Sequence, residues 1–439
     1  MKYDVAVLVF LFLLSQLLVV ALPVEADSEA PQVQWRQTYS AGYSSGPNSG
    51  IRSMAPTSDG GYVLAGTAMY LGDPQRFTSD MWLVKTNASG EVQWTQSYMN
   101  LANAYSVVQT SDGGYVLTGG GHLVKADSSG NIQWNQTYSS GGTMCVVQTN
   151  DGGYATAGTV KSANYTFWLV KTDAFGNYQW NQSYSGHGDE IAWTLIQTSD
   201  GGYVLAGGSS SGDYGYLVKT DTSGSMQWNQ TYGGMLYSVI QTNDDGYALA
   251  GNVIAASGSN NMWLAKTDSL GNMQWNQTFG GGDAWSVIQT SDEGYALAGS
   301  SSLVKTDSPG NMQWNQTYNG TAYSVVQVSD GSYVLAGGDA GIFFRGAWLM
   351  KIAAIATSPS TSTVPTSSPS QSFTQQPTPL PSFSLTPNET PSPSLSPSSL
   401  QQENNSVPVD VTLIAVATVA TIAVTATIAL VVGAKKRRK

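Results

Sequence analysis

One unit recurs seven times along the chain, and that recurrence constrains the fold more than any other property. A Gln-Trp landmark falls at Trp35, Trp94, Trp134, Trp180, Trp228, Trp275 and Trp314. An Asp-Gly-Tyr type landmark falls at Tyr62, Tyr115, Tyr154, Tyr203, Tyr247, Tyr295 and Tyr333, and a Leu-Val-Lys type ends at Lys85, Lys125, Lys171, Lys219, Lys266, Lys305 and Lys351. Self-similarity at a period of roughly 40 to 50 residues marks units that cannot bury an apolar face alone and must stack on their neighbours.

Each unit holds four short runs separated by turn residues. The first, as in Ser238-Val239-Ile240-Gln241-Thr242, is β-branched and half apolar. The second (Gly202 to Gly207) and third (Trp168 to Lys171) are apolar on both faces, as strands covered on both sides should be. The fourth alternates: Ile132, Trp134, Gln136 and Tyr138 face one way, and Gln133, Asn135 and Thr137 the other. Asp-Gly and Ser-Gly dipeptides between the runs supply the positive φ that tight turns need. Four antiparallel strands per unit, repeated around an axis, describe the blades of a β-propeller. The array opens on a fourth-strand run (Val33 to Tyr39) and ends on a third-strand run (Ala347 to Lys351). The chain therefore reads as an all-β, seven-bladed propeller over residues 32–352, with the N-terminal strand completing the last blade and leaving no open edge.

The stretch Lys125-Ala126-Asp127-Ser128-Ser129-Gly130-Asn131-Ile132-Gln133-Trp134, with its copies ending at Trp180, Trp228, Trp275 and Trp314, resembles the tryptophan-docking motif of quinoprotein-like propellers. The resemblance implies a tryptophan lying flat between neighbouring blades, with Asp and Gly shaping the preceding turn. The Asp-to-Gly step is one residue shorter here, and the wording of the repeats is similar to secreted cell-surface propeller repeats of archaea and bacteria. The vicinal Cys pair of the quinoprotein dehydrogenases is absent, so no quinone, and no other cofactor, is expected.

The two ends speak of location. Residues 1–26 read as a signal peptide: Lys2 opens it, Val5 to Ala21 is apolar, and Val24-Glu25-Ala26 is a small-residue cleavage site. Residues 357–408 are dominated by Ser, Thr and Pro, a composition that cannot bury a core and reads as a disordered stalk. Residues 411–434 are an apolar and small-residue run long enough to cross a bilayer as a transmembrane helix. The basic tail 435–439 (Lys435 to Lys439) follows at once and assigns the C-terminus to the cytoplasm and the propeller to the outside. Setting aside Lys2, the five tail residues, Asp4, Glu25 and Asp410 leaves 12 basic and 26 acidic residues, a net charge near −14 for the outer part. That balance argues against nucleic acid as a partner.

No catalytic constellation stands out. The only histidines, His122 and His187, do not pair with Cys or Glu at ligand spacing, so no metal site is expected. The repeated aspartates, Asp112, Asp151, Asp200, Asp244, Asp292 and Asp330, sit in tight turns and are read as hairpin residues rather than calcium ligands. The lone Cys145 excludes a disulfide within the chain and is read as a small buried side chain. Glycosylation sequons fall at Asn87, Asn135, Asn164, Asn181, Asn229, Asn276, Asn315, Asn319, Asn388 and Asn404.

Loop length varies mainly in the second-to-third and fourth-to-first connections, which share one face of a propeller. Insertions gathered on one face mark a binding side. The candidate binding face comprises Tyr70, Arg76, Phe77, Tyr165, Phe167, Trp193, Trp285, Phe343, Phe344 and Arg345. Trp193 and Trp285 belong to an aromatic series with Tyr105, Tyr237 and Tyr323 at the start of the first strand. The function expected is binding: a glycosylated, membrane-anchored cell-surface module for adhesion or cell-envelope interaction, taking an extracellular glycan or protein ligand. The alternatives are a hydrolase or lyase with its site at the channel mouth, and a purely structural envelope component.

Overall fold

The computed structural model describes residues 31–41, 49–69, 79–138, 141–186, 188–212, 214–339 and 345–354. The signal segment, the stalk, the 411–434 run and the basic tail lie outside the described residues. So do Tyr70, Arg76, Phe77, His187, Phe343, Phe344, Asn388 and Asn404. Among the described residues regular structure is strand alone, with no helix.

The chain opens with β1 (Val33–Tyr39). Five four-stranded antiparallel sheets follow in sequence order. The first is β2 (Ser49–Pro56), β3 (Tyr62–Met69), β4 (Ser79–Thr86) and β5 (Val92–Tyr98); the second is β6 (Ser106–Gln109), β7 (Tyr115–Gly119), β8 (His122–Ala126) and β9 (Ile132–Thr137). The third is β10 (Gly142–Gln148), β11 (Tyr154–Lys161), β12 (Tyr165–Thr172) and β13 (Tyr178–Tyr184). The fourth is β14 (Glu190–Gln197), β15 (Tyr203–Ser209), β16 (Gly215–Thr220) and β17 (Met226–Tyr232). The fifth is β18 (Met235–Gln241), β19 (Tyr247–Ile254), β20 (Asn260–Thr267) and β21 (Met273–Phe279). The remaining strands are β22 (Ala284–Gln289), β23 (Tyr295–Thr306), β24 (Met312–Gln327), β25 (Tyr333–Asp339) and β26 (Arg345–Ile352), and they join β1 in one six-stranded sheet.

The expectation of seven blades is thus corrected: the propeller has six, five of four strands and one of six. The reason lies in the linkers. Between Gly299 and Leu303 the residues Ser300, Ser301 and Ser302 stay in strand conformation, where the equally short Gly120–Gly121 connection of the second repeat leaves it as a turn. The ladder therefore continues through β23 and the 16-residue β24, where Ser300 still pairs with Thr321. The backbone turns at Ser301 (φ 66) and Gly320 (φ 109) without releasing the pairing. The sixth and seventh sequence repeats consequently share one sheet. In that sheet β1 pairs antiparallel with β26, Thr38 opposite Trp348 and Tyr39 opposite Ala347, so the two ends of the array are joined side by side.

Packing between successive repeats is uniform. The fourth-strand tryptophan lies over the turn glycine of the next repeat, so closely that a Cβ on Gly130 would touch Trp94 and one on Gly176 would touch Trp134. These turn glycines have φ near 80°, which a side chain would strain. The same tryptophans meet the next repeat's second-strand tyrosine edge-on, with Trp94–Tyr115 centroids at 5.7 Å and Trp228–Tyr247 at 5.9 Å. The tyrosine closing the fourth strand then donates its hydroxyl to that turn's carbonyl: Tyr39 to Gly90, Tyr98 to Gly130, Tyr138 to Gly176, Tyr184 to Gly224 and Tyr232 to Gly271, all at 2.6–2.8 Å. Phe279 stands in this series without a hydroxyl.

Candidate functional site

The channel mouth is built by a repeated irregularity of the innermost strands. In β10, β14, β18 and β22, and in the second half of β24, one residue is extra relative to the partner strand. In β14, for example, Ala192 faces Gly207 and Thr194 faces Ala206, leaving Trp193 unpaired between them. The equivalent bulge residues are Arg52 in β2, Met144, Tyr237, Trp285 and Tyr323. Tyr105, just before β6, donates its N–H to the Thr118 carbonyl and holds the same place. A regular strand sends successive side chains to opposite faces, whereas a bulge re-aims one of them. Here both the bulge residue and its successor line the channel, and they enclose a cavity of about 200 Å³.

A glycine opposite each bulge makes the distortion possible. A Cβ on Gly66, Gly158, Gly207, Gly251, Gly299 or Gly337 would run into a carbonyl oxygen of the innermost strand, Ile191 in the case of Gly207. The glycine that ends each Val-Leu-Ala-Gly run is therefore a steric requirement of the mouth.

Below the bulge residues lies a ring of small side chains that stitches neighbouring repeats together. Ser53 Oγ accepts from the Val107 N–H at 3.1 Å, Ser106 from Val146, Ser238 from Val287 and Ser286 from Val325, each at 3.3 Å. Cys145 occupies this ring, half-buried on the wall, and its thiol donates to the Leu195 carbonyl. Burial pushes that thiol up.

The ring above is aromatic along one side. Tyr237 and Trp285 stack at 4.1 Å, Trp193 meets both edge-on, and Trp285 meets Tyr323 at 5.4 Å. The Arg52 guanidinium lies 4.5 Å from the Tyr323 ring centre, a cation–π contact. Behind Trp193, Tyr237 and Trp285, a second cavity of about 310 Å³ opens beside the Ser209–Gly212 turn. At its edge Asp283 accepts from the side-chain amides of Asn252 and Asn260, and Asn252 also donates to the Tyr237 hydroxyl. Burial, and secondarily the Asp283 carboxylate, pushes the Tyr237 hydroxyl up to about 12.

Of the other candidate face residues, Tyr165 and Phe167 do not line this mouth. Tyr165, 40% exposed, donates its N–H to the Asp189 carboxylate and carries Lys161 over its ring. Phe167 is fully buried in the core against Tyr216, at 5.2 Å, and takes no place on the face. Arg345 begins β26, its backbone opposite Asp339. Asn135, Asn181, Asn229, Asn276 and Asn315 are exposed on the outer strands, as are Asn164 and Asn319 elsewhere, while Asn87 is half-buried in a turn. Asn181 and Asn276 accept indole N–H bonds from Trp168 and Trp263.

The opposite face carries a ladder that sequence reasoning missed. Each hairpin aspartate pairs with the lysine ending the third strand: Asp59 with Lys85, Asp112 with Lys125, Asp151 with Lys171, Asp200 with Lys219, Asp244 with Lys266, Asp292 with Lys305 and Asp330 with Lys351, at 2.6–2.9 Å. Six of these lysines are nearly buried. The signal was present, because the two landmarks recur in equal number. Hairpin turns alone explained the aspartates, so their partners went unsought. Innermost-strand glutamines add a link between repeats, as where Gln241 accepts the Ser199 N–H.

Similarity to solved structures supports the fold. The chain is similar to the WD40 domain of Neurospora crassa Pan2, with 10% identity and a TM-score of 0.53 over 74% of this chain and 96% of that one. It is likewise similar to the WD40 β-propeller domain of Doa1, with 10% identity and a TM-score of 0.51 over 73% of this chain and 96% of that one. No family model matches the sequence, and no curated protein matches it. The protein is a β-propeller.

Proposed function

We propose that the chain is a binding module whose ligand enters the channel mouth, displayed outside the cell on the 357–408 stalk and held by the 411–434 segment. The observation that carries this reading is the bulge in the innermost strands. A bulge at the same place in successive repeats, with a glycine kept opposite, turns large side chains into the lumen where a plain strand would carry only alternate ones. A concave surface that combines aromatic side chains with placed polar groups is what a ligand site requires. The hydrolase alternative needs paired carboxylates at the mouth, and the described residues lining it include none. Two WD40 domains are among the solved structures it is similar to, and a protein-binding role fits that architecture.

Beads coated with the purified chain test the proposal. They should attach to cells of the source organism, and the Trp193→Ala/Trp285→Ala double variant should lose that attachment. Phe175→Ala, 72% exposed on the outer rim, should keep it. Equal attachment by the double variant, or none by the native chain, overturns the reading.

A further inference from the structure

We infer that the cavity behind Trp193, Tyr237 and Trp285 is a subsite for a neutral sugar ring, an inference that rests on the channel mouth being the binding side. Three features select this chemistry. First, the wall is aromatic and half-buried, and it offers flat faces to the C–H bonds of a pyranose. Second, the polar edge is held in place before any ligand arrives. Asp283 takes the Asn260 amide N–H at 2.8 Å and also that of Asn252, which turns both amides so that their carbonyl oxygens are left to accept from hydroxyls. Asn260 is exposed and reachable.

Third, the Trp193 indole N–H is buried and has no hydrogen-bond partner among the described residues. A buried donor without an acceptor is costly, and a small rotation of the Trp193 ring toward the cavity would let a docked hydroxyl oxygen satisfy it. Hydroxyls that both donate and accept match a site offering acceptors on one side and a donor on the other.

Charge narrows the ligand further. No lysine or arginine lines this cavity among the described residues, and the Asp283 carboxylate stands at its edge. An anionic ligand would meet that carboxylate with no cation to balance it. The cavity is compact, bounded by the Ser209–Gly212 turn, which suits a ring rather than a long chain.

Isothermal titration of the full chain against a panel of neutral mono- and oligosaccharides (glucose, galactose, mannose and N-acetylglucosamine types), with sialylated and sulfated sugars beside them, tests the inference. At least one neutral sugar should bind, and both Trp285→Ala and Asn260→Ala should weaken it about 10-fold or more, the loss of a single well-made contact. The exposed Asn260→Ala variant folds whether or not the tryptophan variant does. Preference for the anionic sugars overturns the inference. Binding of unstructured peptides but no sugar, with sensitivity to Trp285→Ala, also overturns it while leaving the mouth as the binding side. Sugar binding that neither variant weakens removes the subsite, and the bead assay then decides the mouth separately.

Discussion

The Lys–Asp ladder makes an asymmetric prediction, because its two partners are unequally exposed. Lys219 is 6% exposed in its side chain and Asp200 55%. The ammonium donates to Asp200 at 2.7 Å, to the Thr220 carbonyl at 2.8 Å and to Gln227 at 3.1 Å. Asp200→Ala leaves this near-buried charge with two neutral acceptors, and the Thr198 hydroxyl and Gly202 N–H lose their acceptor as well. Losing a charge-assisted bond and stranding its donor costs about 3 kcal/mol for a fully buried pair, and water reaching the open side reduces this to about 2 kcal/mol. Lys219→Met removes the buried charge itself, and the half-exposed Asp200 left behind is solvated. That variant should lose about 1 kcal/mol or less. In the double variant the penalty for stranding the ammonium disappears, so the combined loss should fall short of the sum by about 1 kcal/mol. Urea unfolding of the four proteins measures all of this. A Lys219→Met loss as large as that of Asp200→Ala, or strict additivity, would refute the reasoning.

Three further outcomes are expected. At the Asp59 carboxyl the largest influence is the Lys85 hydrogen bond; at Asp112, Asp151, Asp200 and Asp244 desolvation raises the carboxyl, but bonds from Thr, Lys and Gly outweigh it. All five sit at about 2, below the ordinary value near ~3.9. The stability they add is complete above pH ~4 and is lost as pH falls toward 2; a melting temperature unchanged across that window would contradict it. Phe279→Tyr supplies the hydroxyl its counterparts give to the turn carbonyl, here that of Gly310, and should stabilise by about 1 kcal/mol in urea unfolding. Gly158→Ala drives a Cβ into the Gly142 carbonyl and should cost about 3 kcal/mol, whereas Gly152→Ala, at φ 82 with open space around it, should cost about 1 kcal/mol; equal losses would remove the steric role assigned to the glycine.

Much of the fold was legible because its determinants are local and repeated. The Trp94-type landmark, the turn glycine and the closing tyrosine each recur at fixed spacing, and together they form the contact between one repeat and the next. The phase of the repeat likewise told that Val33–Tyr39 would pair with the final strand. The blade count was not legible. It depends on whether Ser300–Ser302 and Tyr318–Thr321 break a hydrogen-bonded ladder, and a repeat landmark cannot report the continuity of a ladder.

The site was legible in part. Trp193 and Trp285 stood out as aromatics at one position, but the bulge that aims them has no composition of its own. Its only trace is the glycine opposite, which reads in sequence as an ordinary strand end. Phe167 misled because an aromatic beside a variable loop looks exposed, and only the register of β12 shows that it turns inward against Tyr216. The Asn252–Asp283–Asn260 corner joins residues from three separate segments, and no spacing connects them.

The account depends most on adjacent residues of an innermost strand both facing the channel. In a Cys145→Ser background, single Tyr237→Cys, Ser238→Cys and Val239→Cys variants can be treated with a small water-soluble thiol reagent. Val239 is only 2% exposed. The bulge predicts rapid labelling at both 237 and 238 and protection at 239. Labelling at alternate positions, with 238 protected and 239 reactive, would mean a regular strand and no built mouth.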